Sequence, residues 1–182
     1  QTFLTDQLRD TVRHHLIADV DVGVFLSSGL DSTTLAALAS EVGGSLKTLT
    51  LGFEEFRGTA NDEVPLAETV ARHYGADHQT VWITREEFTD ALDHLLNVMD
   101  QPSADGVNSY FVSLAARKAG LKVAISGLGG DELFGGYPSF REVPRFARWT
   151  PRLPLLGRAV RHVSSPILRH VTSPKYAGVL EY

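Results

Sequence analysis

Val22-Gly23-Val24-Phe25-Leu26-Ser27-Ser28-Gly29-Leu30-Asp31-Ser32 is the stretch that decides how this chain is read. Its first half is a short apolar run, which predicts a buried strand over 22–27. A turn of small residues follows at once. Ser32 then opens a small-residue helix, Thr33 to Glu41, which Gly43-Gly44 stop. A strand, a small-residue turn and a helix N-terminus together aim several backbone N–H groups at one spot. Such a spot binds anions, and a carboxylate beside it, here Asp31, can hold a divalent cation.

The same grammar recurs a hundred residues later. Val123-Ala124-Ile125 leads into Ser126-Gly127-Leu128-Gly129-Gly130-Asp131-Glu132-Leu133-Phe134-Gly135-Gly136-Tyr137. This turn holds five glycines between 127 and 136. Each costs ~0.5–1 kcal/mol of folding entropy relative to alanine. A loop that tolerates them needs unusual dihedrals or room for a ligand. Asp131 can complete a cation shell begun by Asp31. The two turns together argue for a nucleoside triphosphate with magnesium.

Between and around them the chain alternates. Phe3, Leu4, Leu8, Val12 and Leu16 follow the helical period over 3–17. Lys47 to Phe53 is β-branched and apolar, hence a strand. A loop over 54–62 leads to a helix whose inner face is Ala67, Val70, Ala71 and Tyr74. Residues 78–83 read as a further strand. Thr84 and Glu87 form a capping box for a helix bearing Phe88, Leu92, Leu95 and Met99. Pro102 and Gly106 break the pattern, a helix runs from about Ser109 to Lys118, and a strand over 122–126 follows. The alternation predicts βαβ units: an α/β fold with a parallel sheet in a three-layer α/β/α arrangement. Ligands of such sheets sit beyond the carboxyl ends of the strands, where strand order reverses. The two turns meet only if strands 22–27 and 122–126 are neighbours, which is the expectation.

Composition bounds the rest. The chain has 182 residues, 43% hydrophobic and 21% charged, ordinary values for a globular domain. A net charge of -5 supplies no basic face and argues against nucleic acid. No apolar run approaches the ~20 residues of a membrane span, and none reads as a secretory signal, so a cytoplasmic location is expected. The absence of cysteine excludes disulfides and thiolate sites. A start at Gln1 rather than Met suggests a piece of something longer. After Tyr137 the character changes: five of the eight prolines fall between 138 and 166, with frequent arginine. The expected organisation is therefore a core over 1–140 and a truncated helical extension over 141–182. His14-His15 reads as surface, His73 and His78 have poor metal spacing, and Trp82 and Trp149 read as packing.

The candidate ligand contacts of the first turn are Ser27, Ser28, Gly29 and Ser32, through hydroxyl and backbone donors. The turn is not a Walker P-loop, since no Gly-Lys-Ser/Thr follows. Neither Ser28 nor Ser126 sits in the Gly-x-Ser-x-Gly of a nucleophile elbow.

These turns resemble those of the asparagine synthetase family, in its ATP-pyrophosphatase (synthetase) domain. The first is similar to that family's Ser-Gly-Gly-Leu-Asp-Ser pyrophosphate loop. The second resembles its Ser-Gly-x-Gly-x-Asp-Glu-x-Phe-Gly-Gly-Tyr loop almost throughout. Asn61-Asp62-Glu63, Ala67, Val70-Ala71, His73-Tyr74-Gly75 and His78 also fit its spacing. The resemblance covers roughly residues 10–140. It implies an adenine nucleotide α-hydrolase-like fold of the PP-loop ATP-pyrophosphatase type. It also implies an enzyme, an ATP-dependent carbon–nitrogen ligase that uses ATP and Mg2+ to activate a carboxylate such as aspartate as its acyl-adenylate. Ammonia from a glutaminase domain outside this chain would then form the amide. Family members often pair as homodimers.

Carried over by position, Ser27, Gly29, Asp31 and Ser32 take the pyrophosphate-loop places. Leu26 and Leu51 match strand ends that flank adenine, and Ser126 and Gly127 match nucleotide contacts. Asp31 and Asp131 match the magnesium-linked carboxylates, and Asp31, Asp131 and Glu132 are the candidate catalytic acids. Attack of a carboxylate on the α-phosphate brings anions together, so such catalysis is charge neutralisation and positioning. The family's lysine beyond the second loop has no clear match; Lys175 is the sole lysine after 122.

The chain departs from the pattern at specific places. Ser28 replaces the usual middle glycine, a mild change for so small a residue. Leu128 stands where many asparagine-forming members carry glutamate. Residues 101–110 contain no arginine to hold an amino acid's carboxylate. Two alternatives follow: an amidotransferase or ring-closing synthetase acting on a non-aspartate acid, or a non-catalytic ATP-binding module. A sulfur-inserting or tRNA-modifying pyrophosphatase is disfavoured by the acidic balance and the lack of cysteine.

Overall fold

The computed structural model describes residues 2–101 and 103–149. The chain divides into compact units Gln1–Leu128 and Gly129–Tyr182. In order, the first holds α1 (Thr2–His15), β1 (Val22–Phe25), α2 (Leu30–Val42), β2 (Lys47–Phe53), a 3-10 turn (Glu54–Phe56), α3 (Val64–His73), β3 (Asp77–Ile83), α4 (Arg85–Val98), α5 (Ala104–Lys118) and β4 (Val123–Ile125). The second holds α6 (Gly130–Phe134) and α7 (Ser139–Trp149), the latter with Pro144 inside it. The rest of the segment expected to be a helical extension, from 150 on, lies outside the described residues.

The four strands form one parallel sheet in the order β3-β2-β1-β4. Alternation along each strand feeds two separate cores. On one face Val24 and Leu26 pack with Val12 of α1, Ala36 and Ala39 of α2, and Ala67 and Ala71 of α3. On the other, Leu49, Val81 and Ile83 pack with Leu95 of α4 and Phe111 and Ala115 of α5, joined by Phe25, Phe53 and Phe88. The predicted three layers are thus observed.

Buried polar groups on β2 are satisfied. Thr50 Oγ1 donates to the Leu26 carbonyl at 2.6 Å. Thr80 Oγ1 donates to Glu68 Oε1 at 3.3 Å, leaving it an acceptor for His78 Nε2 at 3.3 Å. His78 Nδ1 then accepts from the Thr48 hydroxyl at 2.8 Å. This order suits a neutral imidazole. Burial holds the His78 pKa below its usual range; Glu68 opposes that and Arg72 adds to it. A lowered folded pKa makes the unfolded chain the better proton binder. The contribution of His78 is therefore full above the unfolded pKa of ~6.5 and is lost as pH falls through the folded value. In urea unfolding, wild type is expected to lose more stability than His78→Gln between pH 7 and 5. Equal losses would remove His78 as the cause.

Several local expectations need correction. Gly106 does not break a helix: α5 begins at Ala104, capped by Ser103 Oγ, which accepts from Gly106 N at 3.1 Å. A Cβ at Gly106 would lie 2.9 Å from Met99 Cε, so the glycine makes room for that side chain. α2 begins at Leu30, two residues before the predicted start, with Gly29 as its N-cap. Phe3 and Leu4 continue the period of α1 but are exposed. The capping box of α4 is present as predicted, and Glu87 Oε1 also accepts from Lys118 Nζ at 2.6 Å. Among the described residues no helix is long and apolar enough to cross a membrane.

Candidate functional site

β1 and β4 are adjacent and parallel, with Val22, Gly23 and Val24 opposite Val123, Ala124 and Ile125. Strand order reverses between them, because β2 and β3 continue on the far side of β1. The turn after β1 and residues 126–128 after β4 therefore leave the sheet at the same end, at the switch point.

The first turn is tied by a buried hydroxyl. Ser32 Oγ donates to the Gly29 carbonyl at 3.1 Å and accepts from Ser27 N at 3.2 Å. Ser27 Oγ lies 3.1 Å from it. Since the single Ser32 proton goes to Gly29, Ser27 is the donor in that pair. The Ser32 hydroxyl is thus occupied in closing the loop. Its backbone amide is not: the N–H groups of residues 28–32 find no acceptor among the described residues, and Gly29 supplies no side-chain cap. An uncapped α2 directs these donors and its dipole at the turn. Asp31 sits partly buried in this first helical turn.

Ser28 is the one described non-glycine residue with a positive φ, at 61°. The left-handed region penalises a Cβ, so serine here is a strained choice rather than a mild one. Ser28→Gly is expected to stabilise the protein by roughly 0.5–1 kcal/mol: relief of ~1–2 kcal/mol of strain, less ~0.4–1 kcal/mol of added unfolded-chain entropy. Urea unfolding checks this, and a destabilised variant would show that the hydroxyl matters more than the backbone.

Residues 126–128, which begin the second turn, rest on the first. A Cβ at Gly127 would stand 3.0 Å from both Asp31 Cβ and Ser32 N. A side chain here would press on the start of α2, so glycine eases the close approach of the two backbones. Ser126 Oγ accepts from Leu128 N at 3.2 Å and holds the bend. Leu128 is 86% exposed.

The remaining predicted contacts are placed as follows. Leu26 is 1% exposed, and its N–H already donates to Leu49 O at 2.9 Å. Leu51 lies partly buried against the second core. Lys175 lies outside the described residues. In the second unit, Asp131 and Glu132 occupy the first turn of α6 between left-handed glycines, Gly129 at φ 96° and Gly135 at φ 70°. Tyr137 OH donates to Glu132 Oε1 at 2.8 Å. Sequence reasoning missed this pair, although Tyr137 closes the glycine-rich motif.

Among the described residues no cluster of three or more His, Cys, Asp or Glu could hold a metal by itself. Magnesium does not need one, since it is bound through one or two carboxylates plus substrate phosphates and water. A partly buried carboxylate beside free helix-terminal amides fits that habit.

The chain matches the family model described as asparagine synthase over residues 4–178. It is 42% identical to a putative glutamine-hydrolyzing asparagine synthetase of Mycobacterium tuberculosis, over 90% of this chain and 25% of the relative. It is 37% identical to the glutamine-hydrolyzing asparagine synthetase 1 of Bacillus subtilis, over 88% and 25%. Amidase chry2 of Gibberella zeae is 31% identical over 75% and 22%. The chain spans about 25% of the length of the first two of these relatives.

Proposed function

The chain belongs to the asparagine synthase family, and from that premise we propose that it is the ATP-dependent synthetase portion of a glutamine-dependent amidotransferase. In this reading a carboxylate attacks the α-phosphorus of ATP, giving an acyl-adenylate and releasing pyrophosphate. Ammonia, made by a glutaminase domain outside this chain, attacks the acyl carbon and AMP departs. The product is an amide, and the reaction is that of a carbon–nitrogen ligase.

One observation carries the reading. Gly127, just after β4, sits against the first turn of α2, at the carboxyl ends of two adjacent parallel strands, beside unpaired amides. Those amides suit the leaving pyrophosphate, whose charge grows as the α–β bond breaks. Asp31 and Asp131 are the carboxylates proposed to take Mg2+. The ion would neutralise phosphate charge and favour pyrophosphate departure. Support for Asp31 is its place at the α2 terminus. Support for Asp131 and Glu132 is the motif they occupy. Leu26 and Leu51 would line the adenine side as apolar floor, since the Leu26 amide is already used.

A second reading is favoured by Leu128. An exposed leucine can neither accept a proton nor orient an amine, and no arginine lies in 101–110. The acceptor would then be an acid other than aspartate. The test is acid-dependent pyrophosphate release from ATP by the full-length protein, with aspartate and a panel of other carboxylic acids. Release with aspartate supports asparagine synthesis, and release with another acid alone supports the second reading. Binding of ATP with no release for any acid would overturn both in favour of a non-catalytic module.

A further inference from the structure

We infer that Gly136 and Tyr137 are positioning residues, which set the directions of the two carboxylates presented by α6. The inference rests on the reading of Asp131 and Glu132 as working acids. Its observations all lie within the second unit. After the left-handed Gly135 the chain doubles back along the helix it has just left, and Gly136 N donates to the Asp131 carbonyl at 2.9 Å.

Gly136 has no positive φ, so its backbone would accept a side chain, but one placed there would have to push the Asp131 carboxylate aside. A Cβ there would collide with Asp131 Oδ1, with Asp131 Cγ at 2.9 Å and Asp131 Cα at 3.2 Å. The Asp131 carboxylate thus lies in the hollow left by a missing methyl group. One residue on, the Tyr137 hydroxyl donates to Glu132 Oε1 at 2.8 Å. The Tyr137 ring is braced in turn by Phe140, stacked at 6.2 Å between centroids and 14° between planes. An exposed carboxylate on a five-residue helix would otherwise sample several rotamers. Here one acid is shaped by a neighbour that lacks a side chain, and the next is held by a neighbour that has a long, rigid one. Asp131-Glu132 and Gly136-Tyr137 therefore form one unit, each half of which requires the other.

Two double-mutant cycles on the full-length protein test this: Gly136→Ala with Asp131→Ala, and Tyr137→Phe with Glu132→Ala. Each variant is measured for MgATP affinity and for its urea unfolding midpoint. Loss of a group that orients a metal-linked carboxylate costs roughly 10–100-fold in affinity. Gly136→Ala is expected to weaken MgATP binding by about tenfold in the wild-type background and by less than about twofold once Asp131 is already alanine. Tyr137→Phe is expected to lose its effect likewise when Glu132 is alanine. Equal losses in both backgrounds would overturn the inference, because a merely structural role does not depend on the acid. If Asp131→Ala and Glu132→Ala leave MgATP affinity unchanged, the proposed use of these acids fails, and the unfolding midpoints decide the grip. Coupling there keeps it, and strict additivity sinks it.

Discussion

Asp31→Asn is expected to weaken magnesium-dependent ATP binding by about 100-fold, close to 2.8 kcal/mol at ~1.4 kcal/mol per tenfold. The substitution keeps size and shape but removes the charge that would hold the cation at the α2 terminus. The informative comparison is binding without the metal. A carboxylate beside phosphate repels it unless a cation intervenes. Magnesium-free ATP should therefore bind Asp31→Asn at least as well as wild type. Titrations with MgATP and with ATP in excess chelator read both quantities. A parallel loss in the two titrations would mean that Asp31 supports the loop and does not hold the ion. Ser32 provides the contrast: its hydroxyl is spent on Gly29 and Ser27, so Ser32→Ala should act through loop stability whether or not the metal is present.

Phe111→Ala is expected to have the largest effect on stability, about 3–5 kcal/mol. Phe111 is fully buried at the centre of the core formed by β2, β3, α4 and α5. Its ring stacks on Phe88 at 5.0 Å and meets Phe53 and Tyr110 edge-on at 6.0 Å and 5.2 Å. Truncation removes these ring contacts and leaves a cavity that surrounding helices fill only in part. Such a loss is comparable with the whole stability of many domains, ~5–15 kcal/mol, so Phe111→Leu is the companion variant. It keeps most of the volume and should cost less than about 1.5 kcal/mol. Chemical unfolding of the two variants gives the measurement. A small effect of alanine would mean that α5 does not depend on this core.

Much of the architecture is legible in the residues because the signals are local. Lys47 to Phe53 alternates threonine with apolar residues and forms β2 over that same range. Thr84 and Glu87 announce α4 through two reciprocal hydrogen bonds that need nothing outside the segment. Misreadings fall where a distant group intervenes. Gly106 looks like a breaker until Met99 is seen against it. Phe3 and Leu4 carry the period of α1 past the point where the core can use it. Ser32 looks like a phosphate donor or a cap, but its hydroxyl points back into the turn. The strain at Ser28 shows in the residues only through the glycine that the resembled loop carries at that place, since serine by itself is common in turns.

The same division holds for the candidate site. The chain's own order of residues declares two acid-bearing glycine turns, each ending a strand, because hydrophobic period and turn chemistry act over a few neighbouring residues. It also declares the departures at Leu128 and over 101–110 that bear on the acceptor. Only the folded arrangement makes β4 the neighbour of β1, because parallel pairing is settled by which crossovers cover the sheet, across a hundred intervening residues. And only that arrangement shows what the glycine at 127 is for: the space a side chain would need is crowded by Asp31 and the backbone of Ser32, which no local preference can foresee.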